Sequence, residues 1–285
     1  MMTVHKSRLS EIWRDDPLAD FYNMEHLSDV ILTADTDWAP DFVVEKVIDL
    51  VAQHGHKITI FATHQSELLH HVPDFVEVGL HPDYTMRHNQ LPFDQVMRRM
   101  KEWYPEAVGA RSHCDFFGNN VANLAVANGL IYDVSVFEWN LPFCQGHIDY
   151  NRMVRFSYFW EDGIHMDMNF PLSWEDVRLA TPGLKIMNVH PILIYLNCET
   201  DDDRRRVVRP YQDLTRVQRS DIDPFIRQQR GIRDLWVELL ENLTANNVRT
   251  HLLGDVARHA LAHAQAPASG PLRARVAATL KQGEA

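Results

Sequence analysis

Among 285 residues there are only three cysteines, Cys114, Cys144 and Cys198, isolated and odd in number. They lack the paired spacing of a structural zinc site, and reduced thiols in a cytoplasm are the expectation. No apolar run is long enough to cross a bilayer, and residues 1–20 carry charges throughout without an apolar core segment, so a soluble, cytoplasmic protein that is not exported is expected. Positive charge is also scarce. The 28 Lys and Arg against 39 Asp and Glu leave a net charge of −11, which argues against a nucleic-acid partner, since such a protein needs a basic face to displace counterions. Arg204-Arg205-Arg206 is the one notable basic run. No internal repeat and no linker stand out, so a single domain over 1–265 is expected. An Ala/Pro/Gly-rich tail, 266–285, is read as partly disordered. Homo-oligomerisation stays open.

What the chain does have is a strand–helix rhythm. After a polar lead-in with a short helix (1–27), a strand is expected over 29–35. Pro40 then opens an amphipathic helix whose Val43, Val44, Val47, Ile48 and Val51 share a face. Strands follow at 57–61, up to His81, up to Arg111–His113 and at 132–136, with helices at 93–104 and at 119–128, the latter stopped by Gly129. The stretch 141–172 is irregular and aromatic, with strand-like pieces at 153–156 and around His165. A strand ends at His190, 198–223 reads as a charged loop or a lid over substrate, and a helix (224–246), a strand (248–252) and a helix (255–263) close the chain.

The chemistry-bearing residues gather where strands end. Asp35-Thr36-Asp37 follows the apolar run Val30-Ile31-Leu32-Thr33, and residues two apart in a strand point the same way, so one carboxylate can bind a metal while the other handles a proton. His81, Arg111 with His113, and His190 close three further strands. In parallel α/β folds the carboxyl ends of the strands are where ligands and catalytic groups collect. Most of the sixteen histidines, including His54, His56, His259 and His263, read as incidental. His165-Met166-Asp167 and His147-Ile148-Asp149 are rival ligand pairs with strand spacing, and Asp83 is a further candidate.

The order of these motifs resembles the polysaccharide deacetylase superfamily, the NodB-homology fold of carbohydrate esterase family four. Thr33-Ala34-Asp35-Thr36-Asp37 is similar to its Thr-Phe-Asp-Asp motif with one residue inserted between the acids. Where the family's His-x-x-x-His motif has its second histidine, this chain has Thr85, and His113 is the substitute. Trp160-Glu161-Asp162 and His190-Pro191-Ile192-Leu193-Ile194-Tyr195-Leu196-Asn197 resemble segments of the branch associated with lipopolysaccharide and O-antigen biosynthesis.

The resemblance, over residues 30–255, implies a distorted (β/α) barrel of mostly parallel strands and a metal-dependent amide hydrolase that removes an N-acyl group from an amino sugar of a polysaccharide or lipopolysaccharide precursor. It implies Asp35 as general base, Arg111 as the residue orienting it, His190 as catalytic acid, and Asp37, His81 and His113 as ligands of one divalent metal, with Zn2+ favoured by the imidazole–carboxylate mixture. Asp162 pairs either with Arg111 or with His190. Trp38 and Trp160 are the substrate-binding candidates, Trp160 as the wall of an acetyl-sized pocket. The alternatives are a hydrolase of a small amide or cyclic imide and a non-catalytic carbohydrate-binding homologue.

Overall fold

The computed structural model describes residues 30–85 and 91–265; the expected lead-in helix, Asp29 and the tail lie outside them. Among the described residues nine strands form one sheet: β1 (Val30–Asp35), β2 (Ile58–Ala62), β3 (Val76–Leu80), β4 (Gly109–Ala110), β5 (Tyr132–Asp133), β6 (Gly146–Ile148), β7 (Val154–Phe156), β8 (Trp160–Glu161) and β9 (Lys185–Val189). Their spatial order is β6-β7-β5-β4-β3-β2-β1-β9-β8, and every pair is parallel except β6 with β7. The sheet curls into a half-barrel with β6 and β8 at its edges. A parallel sheet covered on both faces demands continuous apolar strands, and β1, β2 and β9 are buried at every position.

Helices α1 (Asp41–Gln53), α2 (Phe93–Trp103) and α3 (Asn119–Ala127) follow β1, β3 and β4 as the periodicity predicts. Helix α1 buries Val43, Val44, Val47, Ile48, Leu50 and Val51. Beyond β8 come α4 (Asp162–Asp167), α5 (Pro191–Leu196), α6 (Asp201–Val208), α7 (Arg219–Ile222), α8 (Ile232–Ala245) and α9 (Leu253–Gln265). Helix α5 packs against both α1 and α8.

Four expectations need correction. His165 lies in α4 and not in a strand. The charged stretch after residue 198 contains α6, started by a capping box in which Thr200 and Asp203 satisfy each other's backbone N–H groups. The helix expected from 224 begins at Ile232, because Asp223–Phe225 is a separate short turn and Gly231 is the true helix start. Residues 248–252 add no strand, only an isolated bridge from Val30 to Thr250.

Candidate metal centre and catalytic site

The carboxyl ends of β1, β3, β4 and β9 and the start of α4 meet at one rim of the sheet. Thr33 and Asn188 are opposite each other in the β1–β9 register, and two residues further along lie Asp35 and His190. Arg111, 1 % exposed, is the hub. Its Nη1 donates to Asp35 Oδ1 at 3.1 Å, Asn188 Oδ1 at 2.6 Å and Thr33 Oγ1 at 3.0 Å, and its guanidinium lies over the rings of Tyr158 (4.3 Å) and Phe61 (4.8 Å). Burial works against the guanidinium charge, but Asp35, Tyr158, Asp115 and Glu161 around it outweigh that, and its pKa is raised. Asn188 Nδ2 donates to the other oxygen of Asp35 at 2.8 Å. Both carboxylate oxygens of Asp35 are thereby held, and Oδ1 also faces His81 Nδ1 at 3.6 Å.

Strand alternation does not place Asp37, because β1 ends at Asp35. A turn does so, with Asp37 and Trp38 in left-handed conformations (φ 43° and 59°) that non-glycine residues adopt at a cost. The turn is locked from β2's side. Thr63 N donates to Thr36 Oγ1 (2.9 Å), Trp38 N donates to Thr63 Oγ1 (2.8 Å), and Thr36 N donates to Phe61 O (3.0 Å). A second left-handed pair, Cys114 and Asp115 (φ 56° and 51°), follows His113. Although β4 ends at Ala110, its pairing with the β3 end continues through Arg111 N to Leu80 O and His113 N to Pro82 O, both 3.0 Å. Arg111 and His113 therefore keep a two-residue spacing along one edge.

Asp37 Oδ1, His81 Nε2 and His113 Nδ1 form a triangle with all three sides 3.3 Å. This is the one group of metal-ligating side chains so clustered among the described residues. Asp37 Oδ1 is buried, and neither imidazole is aimed well enough to hydrogen-bond it. Burial alone would raise the Asp37 carboxyl, yet His113 and His81, with His190 behind them, hold it well below its usual range. Burial likewise opposes charge on His113, and Asp37 overrides it upward. The cluster thus draws positive charge to a point where an anionic oxygen and two nitrogens converge, and its donor set fits a divalent cation.

On the far side, His190 Nδ1 pairs with Asp162 Oδ1 at 2.7 Å, and the His190 backbone N–H donates to Asp162 Oδ2, also at 2.7 Å. Asp162 therefore serves His190 and not Arg111. Burial opposes an imidazolium here, but Asp162 leads Asp37 and Glu161 in raising the His190 pKa well above its usual value. With Nδ1 engaged, Nε2 points towards the cluster, 3.8 Å from Asp37 Oδ2. Beside this pair the Tyr158 hydroxyl lies 2.9 Å from both Asp115 Oδ2 and Glu161 Oε2, so its one proton serves them in turn. Burial pushes both acids up.

Of the residues singled out in the sequence, Asp35, Asp37, His81, Arg111, His113, Asp162 and His190 come together. Trp38 joins them, its ring edge-on to His113 at 5.2 Å. Trp160 does not; it is fully buried, its indole Nε1 donating to His165 Nδ1 at 3.2 Å. That bond also removes His165 from the ligand candidates. His147 lies within the edge strand β6 and Asp149 just after it, and Asp83 turns back on Thr85 through Oδ1. Sequence reasoning missed Thr33, Asn188, Tyr158 and Glu161. For Thr33 and Asn188 a usable signal existed, since each stands two residues before a singled-out residue at a strand end.

A family model described as WbmS-like polysaccharide deacetylase matches residues 32–207. Among solved structures, a Bordetella bronchiseptica protein assigned as a polysaccharide deacetylase involved in O-antigen biosynthesis is 27 % identical, with a TM-score of 0.64 over 75 % of this chain and 90 % of that one. A Mycobacterium smegmatis protein assigned as a polysaccharide deacetylase shares the fold at 11 % identity, TM-score 0.51, over 85 % and 93 % of the two chains. Comparison with curated protein sequences finds no match.

Proposed function

The chain belongs to the WbmS-like polysaccharide deacetylase family, hydrolases of amide C–N bonds, and from that premise we propose that the rim around Asp37 removes the N-acyl group of an amino sugar in a surface-polysaccharide precursor. The observation that carries this is the 3.3 Å triangle of Asp37, His81 and His113, with Asp35 behind it and His190 in front. These three residues would hold one divalent ion, with zinc favoured by their imidazole–carboxylate mixture. Such an ion lowers the pKa of a water and polarises an acyl carbonyl.

The remaining steps belong to side chains. Asp35, fixed by Arg111 and Asn188, takes the proton of the attacking water. His190, held by Asp162 through Nδ1, gives the proton on Nε2 to the departing amine. Arg111, enclosed between Phe61 and Tyr158, holds Asp35 in place through its Oδ1. Products are a carboxylate and a free amino sugar. Among the described residues no helix is long and apolar enough to cross a membrane, and the free thiols of Cys114, Cys144 and Cys198 suit the reducing cytoplasm, where precursors are assembled.

Metal content and acetate release from N-acetylated amino sugars test the reading together. Wild-type protein is expected to hold close to one metal per chain and to release acetate. Asp37→Ala should lose both, and Asp35→Asn should keep the metal while losing turnover by two orders of magnitude or more. Equal turnover in Asp35→Asn and wild type would rule out the proposed proton path.

A further inference from the structure

Residues 137–140 run beside 158–160, with Glu138 N donating to Tyr158 O at 2.9 Å and Asn140 N to Phe159 O at 3.1 Å. Trp139 and Asn140 of the first segment, with His165 and residues from 170–177, line a cavity of about 210 Å3. None of its lining residues takes part in the chemistry proposed above. Trp139 and Phe170 stack at 4.8 Å with their planes 10° apart, and the His165 ring stands 6.1 Å and 5.7 Å from them. His165 is buried and fully committed. Its Nδ1 accepts from the Trp160 indole, which can only donate, so Nε2 carries the hydrogen and donates to Pro171 O at 2.9 Å. The mouth is tied by Asn140, whose Nδ2 donates to Asp176 O at 2.8 Å and whose Oδ1 accepts from Arg178 N at 2.7 Å. The walls are thus set before any ligand arrives.

We propose that this cavity binds one ring of a neutral saccharide, a ring of the substrate other than the one being deacylated. The inference rests on the amino-sugar reading and adds to it that the substrate extends over more than one ring. A pyranose presents an apolar C–H face and a belt of hydroxyls. The cavity offers aromatic rings for the first, and at its mouth the exposed Asp176 carboxylate and the Ser173 hydroxyl, whose oxygen already accepts from Glu175 N at 3.2 Å and whose hydrogen remains to donate. Among the described residues no lysine or arginine lines it, so a phosphate or nucleotide finds no counter-charge there and meets Asp176 instead. A wholly apolar ligand would strip water from Asp176 and Ser173 without replacing it. The position also fits. His165 is three residues along α4 from Asp162, about 5 Å of helix rise, and Asp162 holds His190. The cavity and the catalytic rim are thus built on the same short helix.

Calorimetric titration of Asp35→Asn protein with N-acetylglucosamine, N-acetylgalactosamine, chitobiose, chitotetraose and uridine diphosphate tests this. A chito-oligomer is expected to bind about tenfold more tightly than either monosaccharide. Trp139→Ala should erase that preference, Trp139→Phe restore most of it, and Asp176→Ala, at an exposed position that packing does not need, weaken it. Affinity independent of ring number, a preference that survives both Trp139→Ala and Asp176→Ala, or uridine diphosphate displacing the oligomer in a Trp139-dependent way would each overturn the proposal. The hydrolase reading fails separately: protein without metal or acetate release that still prefers oligomers through Trp139 would keep this site and lose that reading, and the reverse result would keep the reading alone.

Discussion

Asn188 Nδ2 donates to Asp35 Oδ2 while its Oδ1 accepts from Arg111 Nη1, so one neutral carboxamide fixes the spacing of a buried acid and a buried base. Only one orientation of the amide satisfies both partners. Replacing it by Leu, of similar size, removes a donor from Asp35 and an acceptor from Arg111 without touching the triangle of Asp37, His81 and His113. Asn188→Leu is expected to lower kcat by about 10–100-fold with metal content unchanged, the scale typical of residues that orient a site's ligands and base. A kcat within twofold of wild type would show that Asp35 does not depend on it. This residue also marks how far the site was legible. Asp35, His81, Arg111, His113 and His190 could be found because ionisable groups at successive strand ends are unusual and parallel strands bring those ends together. Asn188 and Thr33 carry no charge, and only their two-residue spacing from His190 and Asp35 marks them. The choice of Asp162 between Arg111 and His190 depended on β8 lying beside β9, a pairing of distant segments that no local pattern encodes.

Strands β4 and β5 are two residues each, and what seats them is the absence of a side chain at Gly109. A Cβ there would fall 1.9 Å from the Tyr132 ring, which lies across the glycine and extends its hydroxyl to Glu77 at 3.0 Å. Glu77 also accepts from Thr59 Oγ1 and Gly254 N, so the contact joins β2, β3, β5 and α9. Gly109→Ala must push Tyr132 aside and break that link, at an expected cost of about 1–3 kcal/mol, the scale of overpacking a tight core. Urea unfolding measures it. The double variant with Tyr132→Ala should be less destabilised than the sum of the two single variants, and strict additivity would mean that the ring is not what Gly109 accommodates. The elements that the sequence made legible are those with strong periodicity, such as α1. Helix α6 was obscured because Asp201 to Arg206 leave no apolar stripe to read. Its start depends on Thr200 and Asp203, and its first turn on Arg204 and Arg205 pairing with Asp201. The start of α8 was misplaced because Gly231 is there for a tertiary reason: a Cβ at that position would meet the backbone oxygen of Asn197.

Across the described molecule the two rims of the sheet handle buried charge differently. The carboxyl rim gathers groups that satisfy one another's charge, whereas the other holds Lys185, the first residue of β9, roughly 16 Å along the strand from His190. Lys185 is 2 % exposed, its Nζ donating only to the carbonyls of Thr181 (2.9 Å) and Gly183 (3.1 Å) and lying 5.3 Å from the Phe159 ring centre. Burial pulls its pKa down to about 8 from an ordinary 10.5, with the neighbouring Cys144 opposing. Because the folded pKa is the lower one, the unfolded chain binds the proton more tightly, and Lys185 costs stability at and below pH 8. That cost is relieved as pH rises from 8 to 10.5, by roughly 3 kcal/mol at 1.36 kcal/mol per unit. Cys144, raised to about 12, titrates with the opposite sign over a higher range. The informative quantity is therefore the difference between wild type and Lys185→Met at each pH. Relative to the variant, wild type should gain stability in urea between pH 8 and 10.5 and show no slope between pH 6 and 7.5. A difference that is flat throughout would mean that the folded protein leaves the Lys185 ammonium with its ordinary pKa, and that water reaches a rim which the packing of β9 and Phe159 closes.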